Sequence, residues 1–120
     1  VTVKVCFYKD SRGINHLKAF GHTGFDQKGK DIACAAVSAV IESLALGAGK
    51  AVSDTGFICK RADGAFEIFC VKGLSDKARS DFNLLAESVI VTLKAIDMAF
   101  PGSCTIEEKT SFASMLDLEI

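Results

Sequence analysis

Apolar residues first fall on alternate positions. Val3, Val5 and Phe7 are set against Lys4, Cys6 and Tyr8, the period of a half-buried strand. Asp10-Ser11-Arg12-Gly13 then supplies turn chemistry, with Gly13 free to take a positive φ. A second alternating run, Ile14 to Phe20, folds back on the first as a hairpin and delivers the chain to Gly21. From Ile32 to about Leu46 the period becomes helical, with Ala33, Ala36, Val37, Val40, Ile41 and Leu44 recurring. Gly47-Ala48-Gly49 is expected to end that helix. Small residues dominate from Ala33 to Ala39, which lets a neighbouring element approach closely.

Two further strands are predicted near Phe57–Lys60 and Phe66–Val71, joined at the Asp63-Gly64 turn signal. The second is apolar on both faces except at Glu67, so both faces of the sheet are expected to be covered there. A long helix starts between Gly73 and Asp76 and runs to about Phe100, where Pro101-Gly102 stops it. One stripe on it, Ala78, Phe82, Leu85, Val89, Leu93, Ile96 and Phe100, faces a core. A second stripe, Leu84, Val91, Ala95 and Met98, lies on another side and predicts a homodimer through this helix. Cys104 to Glu108 reads as a last strand. The tail from Thr110, with Phe112, Met115, Leu116 and Leu118, reads either as one amphipathic turn or as a partner contact. The order ββαββαβ predicts an α+β fold over residues 1–120, one domain with a mostly antiparallel sheet packed with two helices. No internal repeat and no Pro/Ser-rich linker divides it.

Composition narrows the function classes. A chain of 120 residues, 49% of them hydrophobic, can bury a core without staples, and disorder is excluded. A net charge of −1 gives no reason to expect nucleic acid or an anionic membrane surface as a partner. The first residues alternate like a strand rather than opening a signal peptide, and no apolar run is read as approaching a membrane span. Five widely spaced cysteines without a Cys-x-x-Cys pair predict reduced thiols in the cytosol.

Candidate chemistry gathers between the second strand and the first helix. Asp31 is placed to cap the helix, which makes Ile32, Ala33 and Cys34 its first three residues. Free N–H groups and the helix dipole favour negative charge there, a setting that lowers a cysteine pKa. His22 stands at the far end of a loop carrying Gly24 and Gly29, and that loop is expected to act as a lid. A cysteine in a helix is usually inert filler, and Cys6, Cys59, Cys70 and Cys104 are read that way, as is His16 as a structural residue. Asp31 caps first and orients His22 second, although a carboxylate nearby also raises a thiol pKa. Ser38, four residues after Cys34, shares its helix face and can offer a hydroxyl. Gly21, Gly24 and Gly29 serve backbone freedom. The glycines lack phosphate-loop or dinucleotide spacing, and a zinc on His22 and Cys34 lacks two further ligands, so no metal or cofactor is expected.

Gly21-His22, the Gly-bearing loop, and Gly29-Lys30-Asp31-Ile32-Ala33-Cys34-Ala35-Ala36-Val37-Ser38 together resemble the ribosomal-processing cysteine protease (Prp) family. Thr23 stands where its members often carry Ala, and Ala33 where many carry Val. The resemblance pairs Cys34 as nucleophile with His22 as its base, and implies removal of the N-terminal extension of the twenty-seventh large-subunit ribosomal protein after a Phe. The backbone N–H of Cys34 is the first candidate oxyanion donor. The alternative is a non-catalytic dimeric ribosome-assembly module binding ribosomal protein or RNA, which leaves the placement of Cys34 and His22 without a purpose.

Overall fold

The computed structural model describes residues 3–21, 31–53 and 55–110, and of Asp31 the backbone. Its elements are β1 (Val3–Asp10), β2 (Gly13–Phe20), α1 (Asp31–Ala51), β3 (Phe57–Ala62), β4 (Ala65–Cys70), α2 (Asp76–Ala99) and β5 (Cys104–Thr110). The order is the ββαββαβ that hydrophobic periodicity predicts. The five strands lie as β3-β4-β2-β1-β5 in one sheet, antiparallel throughout except for the β1–β5 pair. That pair is parallel because α2 carries the chain back across before β5 begins, as a parallel connection requires.

Alternation decides which sheet face meets the helices. Val3, Val5 and Phe7 of β1 and Phe66, Ile68 and Cys70 of β4 point into one core with both helices. In β2 the alternation is broken: the register shifts opposite Tyr8/Lys9, so Ile14 reaches the core and so do Leu17 and Ala19. Both faces of β4 are covered, as its sequence predicts. On the face away from the core, Phe69 is buried with the His16 ring edge-on at 5.5 Å and Lys60 Nζ over it at 5.7 Å.

Each helix tests a sequence expectation. Ser75 caps α2 by accepting the Ala78 N–H at 3.1 Å. Phe82, Ala86, Val89, Ile90 and Leu93 are buried, while Leu84, Val91 and Met98 are 70%, 67% and 83% exposed, so the two stripes do part company. α1 does not stop at Gly47 but continues to Ala51. A Cβ at Gly47 would sit 3.1 Å from Leu85 Cδ2, so this glycine gives room for α2 and the packing outweighs its low helix propensity. Ile32–Ala51 also corrects the reading that no apolar run approaches a membrane span. It is long and apolar enough to cross a membrane by length and composition alone, its many small alanines making up the hydropathy. In this fold Val37, Ile41, Leu44 and Ala48 of that segment belong to the core. The tail beyond residue 110 lies outside the described residues.

Candidate active site

A cleft of about 230 Å³ opens at the end of the sheet where β2 stops. Its lining comes from four places: Val3 at the start of β1, Ala19 to Gly21 at the end of β2, the β3–β4 turn, and α1. The α1 wall carries Cys34, Ser38 and Glu42, each four residues after the last and therefore in one row, with Val37 and Ile41 beside it. Phe66 of β4 completes an apolar interior. Cys34 is half-buried in the first turn of α1, so its sulfur borders both the packed domain and the open cleft.

Two turns are joined at the rim. Gly21 adopts φ 98° and donates its N–H to the Gly64 carbonyl at 2.8 Å, while Gly64 itself has φ 71°. Both conformations lie in the left-handed region that favours glycine. His22, Gly24, Gly29 and the rest of the loop from Thr23 to Lys30 lie outside the described residues, as does the Asp31 side chain. The helix begins at Asp31 itself. Cys34 is thus its fourth residue rather than its third, and remains in the first turn where unpaired N–H groups gather.

Among the described residues that line the cleft, the charged side chains are Arg61 and Glu42, and they pair. Arg61 Nε and Nη2 donate to the two Glu42 carboxylate oxygens at 2.6 and 2.7 Å, and the guanidinium lies 5.6 Å from the Phe66 ring centroid. The hydrogen bond from Arg61 holds the Glu42 carboxyl below its ordinary value, and Glu42 raises Arg61 in return. Neither residue, nor Phe66, was singled out by sequence reasoning. The available signal was the spacing of Glu42, two further four-residue steps beyond Cys34.

The remaining thiols and His16 behave as structural residues. Cys6, Cys70 and Cys104 are buried and Cys59 is half-buried. Burial pushes the Cys59 and Cys104 thiols up. His16 stacks on Tyr8 with ring centroids 4.6 Å apart and its Nε2 lies 2.6 Å from Glu67 Oε2. Burial lowers its pKa more than Glu67 raises it. The contact ties β2 to β4 on the face away from the core. Among the described residues no group of three or more His, Cys, Asp or Glu side chains could hold a metal ion.

Comparison with solved structures gives the same fold several times. SMU.848 from Streptococcus mutans superposes with a TM-score of 0.71 at 20% identity, covering 92% of this chain and 96% of that one. The essential ribosomal processing protease Prp from S. aureus, in complex with a covalently linked product peptide, gives 0.71 at 22% identity, covering 90% of this chain and all of that one. The same S. aureus protease with a substrate peptide gives 0.70 at 19% identity over the same shares. No curated protein matches the sequence. The model of the family described as cysteine protease Prp matches residues 2–105. On that match, with a cysteine at the mouth of the cleft, the chain belongs to the Prp family of cysteine proteases.

Proposed function

We propose that this protein is a cytosolic endopeptidase of 1–120 as one domain, with Cys34 as nucleophile and His22 as its base. The observation that carries the reading is the position of Cys34, in the first turn of α1 on the wall of an apolar cleft. His22 directly follows Gly21, which forms part of the same rim. In the reaction His22 takes the thiol proton as the sulfur attacks a peptide carbonyl carbon. The tetrahedral oxyanion is held by free N–H groups of the first turn of α1, that of Cys34 foremost. The C–N bond then breaks, His22 returns the proton to the leaving amine, and water hydrolyses the thioester to release the acid and the thiol. Asp31 starts the helix and orients His22, Ser38 offers its hydroxyl within the cleft, and Gly24 and Gly29 let the loop close over the peptide.

The substrate in this reading is the N-terminal extension of the twenty-seventh large-subunit ribosomal protein, cut after a Phe during ribosome assembly. Support comes from the apolar lining of Val3, Val37, Ile41 and Phe66, and from a similar S. aureus protein being a ribosomal processing protease that binds peptide. The exposed row Leu84, Val91 and Met98 supports a homodimer through α2 without requiring a non-catalytic role. Neither membrane nor nucleic acid takes part.

The test is cleavage of a peptide spanning such an extension. Wild type cuts it after the Phe, whereas Cys34→Ser and His22→Ala fold and leave it whole. Retained cleavage by Cys34→Ser would end the nucleophile assignment. Sedimentation showing only monomer at micromolar concentration would end the dimer.

A further inference from the structure

The Cys34 cleft has an end as well as a mouth. Glu42 lies eight residues beyond Cys34 on the same helix row, roughly 12 Å along the axis at 1.5 Å per residue. Arg61 reaches across from β3 to meet it with two N–H donors, and both side chains line the cleft. The pair is half-exposed, at 51% for Arg61 and 40% for Glu42, and such pairs contribute little to folding. What the geometry does is hold two opposite charges in fixed register, the guanidinium over the Phe66 ring, beside the apolar lining of Val37, Ile41 and Phe66.

Resting on the peptidase reading, we propose that Glu42 and Arg61 form a charge-neutral end wall that makes the cleft select an uncharged, apolar side chain of the scissile peptide. Each partner cancels the charge its mate would present to the substrate. With Glu42 neutralised, the guanidinium faces the cleft unbalanced and welcomes a carboxylate. With Arg61 neutralised, the Glu42 carboxylate is left and welcomes a cation. A specificity built this way works by exclusion as much as by attraction, because a charged side chain entering the native cleft loses water while, among the described lining residues, the two charges are already paired with each other.

The experiment uses three peptides identical except for Phe, Glu or Lys at the residue whose carbonyl is attacked, and reads kcat/KM for each. Wild type prefers Phe. Glu42→Gln raises the Glu peptide relative to Phe by about tenfold, and Arg61→Met raises the Lys peptide relative to Phe by a similar factor, the size of a modest pocket discrimination. The double variant, neutral again, returns to the wild-type order. A merely structural pair would lower all three peptides together. Ratios unchanged within about twofold in both single variants overturn the end wall while leaving the peptidase intact. A wild type that cuts none of the three contradicts the peptidase reading itself, and the end wall falls with it.

Discussion

Two arginines in this fold make the same fork with a carboxylate at opposite ends of the β1–β2 hairpin. Arg79 of α2 donates to both Asp10 oxygens at 2.7 and 3.0 Å and to the Gly13 carbonyl at 3.2 Å, with only 5% of its side chain exposed. Arg61 makes an equally short pair with Glu42 but stands half in solvent. Hydrogen-bond length therefore does not distinguish them; burial does. The first pair is desolvated, so losing one partner strands a charge in the core. The second is screened by water, so losing one partner changes what a ligand meets rather than whether the chain folds. One end of the hairpin is sewn to α2 for stability, and the other is left open for chemistry.

The sharpest way to break this contrast is Arg79→Met. It leaves Asp10 partly buried without its cation and is expected to cost about 3–5 kcal/mol in urea unfolding. A loss under about 1 kcal/mol would erase the distinction, since that is what an exposed pair gives. Acid comes next. Burial alone would raise the Asp10 carboxyl, but the Arg79 guanidinium, with the Arg12 N–H, holds it below the ordinary 3.8. A depressed folded pKa gives stability that is fully present above the ordinary value and is lost as pH falls through the folded one. The expected melting profile drops below pH 3.8, and Arg79→Met removes that component.

His16 carries the same sign in a higher pH window. Burial, against the pull of Glu67, lowers its pKa below 6.5, so the unfolded chain binds the proton more readily. Stability then declines as pH falls from 6.5 toward the folded value, and His16→Gln flattens that part of the curve. The smallest effect belongs to the exposed pair: Arg61→Met and Glu42→Gln each shift unfolding by less than about 1 kcal/mol. A larger shift would place the cleft pair in the same class as the buried one.

Much of this was legible in the chain. Strict alternation in β1 and the Asp63-Gly64 turn identify strands because each needs only nearest-neighbour geometry. The N-terminal turn of α1, with Cys34 in it, is a local signal of the same kind. What stayed hidden depends on distant residues. Gly47 reads as a helix end until Leu85 of α2 is seen to fill the space beside it. The shift in β2 that brings Ile14 to the core is set by pairing with β1 rather than by its own pattern. Arg61 looks like an ordinary exposed strand residue until β3 places it against Glu42 of α1. The position of Cys34 could be read; the composition of the wall opposite could not.

The fold sets Cys34 apart from the other four thiols by where it places it. Cys59 is the natural control, being half-buried too but pushed up by its burial. Limited alkylation at neutral pH, followed by peptide mapping, measures each thiol in one sample. Cys34 is expected to be modified at least about tenfold faster than Cys59, and His22→Ala is expected to slow Cys34 alone. Equal rates at the two cysteines, or a Cys34 rate untouched by His22→Ala, would contradict that distinction.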